Sequence, residues 1–233
     1  MNAQRNGIAQ LYGVLDKLTL QTLPARHIEV LIVRDPSKLP SLQLPERLDG
    51  QQIKVVDAPD SHYYEQKNRG AEMAIAPIVA CLDSDCLPER TWAQAIVDTF
   101  DHYGEKLGAV QGAVWVEETW QGKAFMITSF GRLQAREEQE AGTLTGNNSA
   151  YWRSSFLASP FSEDPVFHGP EVEMAASLKA AGKLLRYVPD VRVQHFYEEG
   201  FGNFMDFGRY WGWCFLNARR SGDTALPYRG LFN

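Results

Sequence analysis

Apolar residues recur along this chain with two periods, and the two take turns. At the start Ile8, Leu11, Leu15 and Leu18 keep a spacing of three and four, which predicts an opening helix. Three β-branched runs of strand length follow: IEVLIV (28–33), QIKVVD (52–57) and IVACLD (78–83). Between the last two lies QKNRGAEMAIAP (66–77), a helix-like stretch stopped by Pro77. Trp92, Ala95, Ile96, Thr99, Phe100 and Tyr103 return to helical spacing, and LGAVQGAVWV (107–116) reads as a strand again. Strands alternating with helices of this length predict an α/β fold on a parallel sheet.

The second half is less regular. Residues 129–142 are polar and helix-prone, and TGNNSAYW (145–152) is turn chemistry running into a short apolar piece. EVEMAASLKAAGK (171–183) predicts an alanine-rich helix closed by Gly182, and LLRYVPDVRVQHF an extended segment broken at Pro189. Phe204, Phe207, Tyr210, Trp211 and Phe215 predict an aromatic helix in the tail, packed on the domain in preference to lying on a membrane. No tract suggests a linker, so 1–233 is expected to form one domain, and 44% hydrophobic residues suffice for one sizeable core.

Charge and cysteine content narrow the function classes. A net charge of −6 without a lysine or arginine block argues against a nucleic-acid partner. No apolar run approaches the roughly 18 residues of a membrane span. The opening MNAQRNGIAQ lacks an apolar signal region, which predicts a cytoplasmic protein. Cys81, Cys86 and Cys214 are odd in number and lack metal-site spacing, so three reduced thiols are expected.

The candidate chemistry begins where IVACL ends, at Asp83-Ser84-Asp85. In an extended segment residues two apart point the same way, so both carboxylates are expected to face one spot past the end of a strand. Ligands bind there in open parallel sheets, and a hard cation such as Mg²⁺ or Mn²⁺ would relieve the repulsion. The competing reading is that the two aspartates cap the helix beginning near Pro88.

The surroundings favour the first reading. QKNRGAEMAIAPIVACLDSDCLPERTW resembles the family 2 glycosyltransferases, with Lys67-Asn68-Arg69-Gly70, a strand, Asp83-Ser84-Asp85, Pro88 and Trp92 in order. TGNNSAYWR and GPEVEMAASLKAAGKLLRYVPDVRVQH resemble two later elements of the same family, and the likeness runs over about residues 8 to 200. It implies a GT-A-type (Rossmann-like) fold, a mixed but mainly parallel sheet flanked by helices. Residues 1–116 would form the nucleotide-sugar half, 117–200 the acceptor and catalytic half, and 201–233 the aromatic helix.

The implied activity is metal-dependent, inverting transfer of a sugar from a nucleoside-diphosphate sugar, with a UDP-sugar as the leading donor, to a saccharide or lipid-linked acceptor. Mn²⁺ or Mg²⁺ is the implied cofactor, and a homo-oligomer and a peripheral contact at the inner membrane face are among the partners it allows. Asp35, Lys67, Asn68, Gly70, Asp83 and Asp85 would bind the donor. Asp85, Asp83 and His195 would hold the metal, and Trp115, Asn148 and Arg153 would meet the acceptor, with Trp120 nearby. Glu171 falls at the general-base position, as Glu where the family has Asp. Glu173 lies about 200° round the helix, so only one of the two can point into the site.

The sequence departs from the family in two places. The family opens on an apolar strand before its first helix, and this chain opens on the helix; RDPS (34–37) stands where two successive aspartates are usual. A parallel sheet short of a central strand would hold a gap of roughly 9–10 Å. The neighbours would have to close up, another segment or chain fill the gap, or the natural protein extend upstream. A non-catalytic GT-A-like binding module is therefore the second reading. Nucleotidyl transfer is disfavoured, because no glycine-rich basic loop opens the chain.

Overall fold

The computed structural model describes residues 3–39, 47–117, 119–126, 133–142, 144–163 and 169–196. The aromatic tail helix and Cys214 lie outside these residues. The chain opens on α1 (Ala3–Thr19), whose Leu11, Val14, Leu15 and Leu18 are buried as their spacing predicts. Then come β1 (Glu29–Arg34), β2 (Arg47–Leu48) and β3 (Gln51–Asp57), the last two joined by a hairpin whose Asp49 and Gly50 have positive φ. Helix α2 (Tyr63–Met73) starts three residues earlier than its apolar pattern suggested and ends well before Pro77. Glu65 anchors this start by accepting the backbone N–H of His62 at 2.8 Å. Strands β4 (Ile78–Leu82) and β5 (Cys86–Pro88) flank the Asp83-Ser84-Asp85 turn, and α3 (Trp92–Tyr103) and β6 (Leu107–Trp115) follow as read.

Helix α4 (Trp120–Phe125), β7 (Gln139–Glu140), β8 (Asn148–Trp152), α5 (Arg153–Ala158), α6 (Pro170–Ala180) and β9 (Leu184–His195) complete the described elements. The helix expected over 129–142 is not found in its described part: Gln139 and Glu140 pair antiparallel with Tyr187 and Arg186 of β9. Tertiary pairing overrides a polar, helix-prone composition there.

The strands form two sheets, β1-β3-β2 and β4-β8-β6-β9-β5, with β7 pairing β9 at the side. β1 runs parallel to β3, and β6 parallel to β9. β8 runs antiparallel to both β4 and β6. Three of the four long strands of the larger sheet therefore share a direction, with β8 reversed between them. The sheet is mixed, as expected, although most of its pairings are antiparallel. β1 and β4 each end a sheet and do not pair with one another, so the neighbours of the expected missing strand have not closed up.

Pro189 does not break β9. The strand continues through it as a bulge: Gly112 faces Val188 and Ala113 faces Arg192, so three residues of β9 loop out opposite one step of β6. Gly112 is needed at that step, because a Cβ there would lie 2.1 Å from the Val191 carbonyl and 2.2 Å from the Asn148 amide nitrogen. The main core lies between the larger sheet and its helices, around Phe100, Val110, Tyr151, Phe156, Leu178 and Val193. A smaller cluster, Leu11, Leu15, Ile32 and Ile53, sits between α1 and the three-stranded sheet.

Candidate active site

The site collects at the carboxyl ends of β4 and β9, beside the amino end of β8. Asp83 and Asp85 occupy a tight turn, closed by the Cys86 N–H donating to the Asp83 carbonyl at 3.0 Å. The extended geometry expected for them is thus corrected: Asp-Ser-Asp is turn chemistry, and it makes a corner between β4 and β5. The two side chains have separate partners. Lys67 Nζ lies 2.7 Å from Asp83 Oδ1, and the Tyr63 hydroxyl is 2.9 Å from both Asp83 oxygens. Burial works against the Lys67 ammonium, but the charge and hydrogen bond of Asp83, with smaller help from the neighbouring thiols, carry its pKa above the ordinary lysine value.

Asp85 turns the other way. Its Oδ2 is 3.8 Å from His195 Nε2, and burial raises its pKa against the pull of His195, with Asp83 adding to the rise. His195 is delivered by the pairing of β5 with β9, which sets it opposite Cys86. Ligand atoms of Asp85, Cys86 and His195 all lie within 4.8 Å of one another. A carboxylate and an imidazole fit Mn²⁺ with open positions for phosphate and water. The Cys86 thiol is fully buried and pushed by that burial well above its ordinary pKa, so it stands beside the pair as a neutral group. Asp83 is not part of this cluster.

Glu171 enters from the first turn of α6, after Gly169 and Pro170. The Tyr64 hydroxyl donates to its Oε2 at 2.8 Å, and the Gly146 N–H approaches Oε1 at 3.3 Å. Burial raises the Glu171 pKa, and the Tyr64 bond is the foremost influence in the other direction. Glu173 is exposed on the opposite face, as the helix spacing required. The 145–147 loop is positioned by buried Gln111, whose Oε1 accepts the Thr145 N–H at 2.6 Å and whose Nε2 donates to the Asn148 carbonyl at 3.1 Å. Gly146 lies against α2: a Cβ there would meet the Tyr63 hydroxyl at 2.8 Å and Lys67 Cε at 3.2 Å.

Several expected site residues have other places. Asn68 is 5% exposed and fully engaged, donating to the Phe161 carbonyl and Glu163 and accepting the Phe161 N–H. Gly70 lets α2 pack on β1, since a Cβ there would touch Val33 at 3.3 Å. Asp35 is buried and turned onto Ser37 and Lys38. Asn148 is not brought to an acceptor surface: it is fully buried, accepts from Trp92 Nε1 and donates to the Ala113 and Val191 carbonyls, each at 2.9 Å. Arg153 donates to the Ala71 and Glu72 carbonyls, and its own N–H bonds Pro77. That is the far end of β4, about 20 Å along the strand from Asp83. Trp115 stacks under Arg192 at 5.3 Å and lines a cavity of about 400 Å³ with Leu87, Pro88 and Arg90. Trp120 is 74% exposed.

Sequence reasoning missed Tyr63, Tyr64, Cys86 and Gln111. The tyrosines fell outside the expected helix, although Tyr63 and Lys67 stand four apart, the spacing of one helix face.

Residues 5–158 match Glycosyl transferase family 2. The chain belongs to this family. It is 32% identical over 193 residues to Glycosyltransferase AglE of Haloferax volcanii, covering 80% of this chain and 62% of that protein. It thus spans less than two thirds of this relative. Among solved structures, the mannosyltransferase PcManGT of Pyrobaculum calidifontis, in complex with GDP-Man and Mn²⁺, superposes with a TM-score of 0.62 at 16% identity, over 91% of this chain and 61% of that one. S. aureus TarS 1–349 with UDP-GlcNAc gives 0.61 at 14% identity, over 85% and 58%. These likenesses establish the GT-A fold. No helix among the described residues is long and apolar enough to cross a membrane.

Proposed function

We propose that this chain carries out inverting, divalent-metal-dependent transfer of a sugar from a nucleoside-diphosphate sugar to a saccharide or lipid-linked hydroxyl. The observation that carries the reading is the corner at Asp83 and Asp85, where one carboxylate faces a lysine, the other a histidine, and a third carboxylate, Glu171, is held beside the same helix turn. Lys67 and Asp83 would bind the nucleotide and its phosphates, with residues 1–116 as the donor half. Asp85 and His195 would hold Mn²⁺ or Mg²⁺. When bound, the ion would neutralise charge on the departing diphosphate. Glu171 Oε1 or Oε2 would take the proton of the acceptor hydroxyl as that oxygen attacks the anomeric carbon. The PcManGT and TarS complexes support a nucleotide-sugar donor, with GDP and UDP as the two bases to test. A cytoplasmic place at the inner membrane face belongs to the same reading, as does a homo-oligomer.

The second reading is a binding module without catalysis, which direct closure of β1 onto β4 would favour; the two strands do not pair. A thermal-shift panel of UDP, GDP and dTDP with and without Mn²⁺ decides between them. A nucleotide at about 100 times its dissociation constant adds roughly 2.7 kcal/mol. The Mn²⁺-dependent part of that gain should disappear in Asp85→Ala while the fold survives. Absence of stabilisation by all three nucleotides with Mn²⁺ would sink the enzyme reading.

A further inference from the structure

One turn of α2 serves two carboxylates that are far apart in sequence. Tyr63 and Lys67 share a helix face and reach Asp83. Tyr64, about 100° round the helix, reaches Glu171. The Tyr64 ring is fixed by an edge contact with Tyr63, centroids 4.9 Å apart, and by Phe161 at 5.4 Å. Phe161 is itself clamped to α2 by Asn68, which accepts its N–H at 3.0 Å and donates to its carbonyl at 2.9 Å. Buried asparagine, two rings and the helix therefore aim a single hydroxyl at Glu171 Oε2, while the Gly146 N–H addresses Oε1. The Tyr64 hydroxyl thus addresses one carboxylate oxygen and the Gly146 N–H the other, with the Glu171 backbone N–H as a further donor to the group.

We propose that Tyr64 is the positioning residue for the general base: its hydroxyl sets the plane of the Glu171 carboxylate and favours the ionised form. The proposal rests on the reading of Glu171 as the base. Among the described residues, the titratable groups that interact with Glu171 are Tyr64, Tyr63 and Lys67 from α2, Cys81 from β4 and Tyr151 from β8. Tyr151 and Cys81 are held neutral, the thiol pushed up to about 11 chiefly by burial. Lys67 is committed to Asp83 at 2.7 Å. The side-chain hydrogen bond that stabilises the charged carboxylate is thus the one from Tyr64. A hydroxyl bonded to an ionised group is stronger than one between neutral groups, and it adds orientation.

Tyr64→Phe keeps the ring and its two aromatic contacts while removing the oxygen. Two readouts test it. The first is the Glu171 carboxyl titration, followed by carbon-13 NMR of labelled glutamate and assigned by the signal lost in Glu171→Gln. The second is release of nucleotide from UDP-N-acetylglucosamine and GDP-mannose with Mn²⁺, as a function of pH. The Glu171 midpoint should move upward in Tyr64→Phe, and the acid limb of turnover should move with it. Turnover should fall about ten- to a hundredfold, with UDP or GDP affinity unchanged by calorimetry. An unmoved midpoint overturns the proposal, and so does a moved midpoint with an unchanged pH profile. If wild-type protein releases nucleotide from neither sugar although the midpoint moves, the base reading itself is what fails, and the positioning role falls with it.

Discussion

Asn148 offers the sharpest test of how this structure divides scaffold from site. Family resemblance placed it on the acceptor surface, whereas the structure encloses it at the crossing of β6, β8 and the β9 bulge, with three bonds of 2.9 Å to Trp92, Ala113 and Val191. Asn148→Ala leaves the Trp92 indole N–H and two carbonyls without this partner. Trp92 is only 5% exposed and Val191 is fully buried, so water does not readily replace the amide. An orphaned buried polar group costs about 1–3 kcal/mol. Counting the indole and the bulge carbonyl fully, and the Ala113 carbonyl in part, the loss is about 3–6 kcal/mol. That is a large share of the roughly 5–15 kcal/mol that holds a domain together. At a urea dependence of about 2 kcal/mol per M, the unfolding midpoint should drop by about 1.5–3 M. Asn148→Asp is a useful companion, since it keeps the acceptor for Trp92 but turns a carboxylate oxygen toward two carbonyls. Its folded-state pKa would be raised, so its stability should be best in acid and decline as pH rises through that value. A midpoint for Asn148→Ala within about 0.5 M of wild type, with acceptor KM raised, would refute the scaffold argument and restore the acceptor role.

Glu171→Gln should lose transfer by about 10² to 10⁴ while Glu173→Gln loses little; a reversal of the two in a transfer assay would defeat the helix-face assignment. Burial raises the Glu171 pKa, so its stabilising contribution is complete below the unfolded value and is lost as pH rises through the folded one. Glu171→Gln should therefore melt higher than wild type at pH 8 and no higher at pH 4, and equal differences at both would contradict that sign. Gly112→Ala forces a methyl into the space of the Val191 carbonyl and the Asn148 amide, so it should either fail to accumulate folded or unfold several molar earlier in urea.

Much of the framework was legible because the elements carry strong periods. α1, α3, β1, β4 and β6 sit within a residue or two of their apolar runs, apart from the first turns of α1. The Asp83 corner, Glu171 and His195 were legible through their order along the chain. What stayed hidden depends on partners distant in sequence. β9 survives Pro189 because β6 offers it a glycine at the bulge, which no local pattern announces. Tyr64 and Gln111 look like ordinary helix and strand residues until Glu171 and the 145–147 loop are set against them. Asn68 and Asn148 look like ligand contacts in a motif, yet their amides are spent on the backbone and side chains of the same chain.

The division between β1 and β4 has a consequence for how the molecule opens. Among the described residues no ladder of backbone bonds crosses that boundary, so the three-stranded sheet and the six-stranded sheet are held together mainly by side-chain packing. Helix α1 straddles them, giving Leu11 and Leu15 to the small cluster and Val14 and Leu18 to the large one. Cooperativity between the halves thus runs through this amphipathic helix, through Val30 of β1, which packs against both clusters, and through α2, which lies on β1 by way of Gly70. Local opening of the β1–β3 sheet need not disturb the strands around β6, and amide protection is set to be graded, deepest at the β6–β9 pairing and shallowest at β1. A fluctuation there would reach Asp83 and Glu171 through the same helix that carries Tyr63, Tyr64 and Lys67.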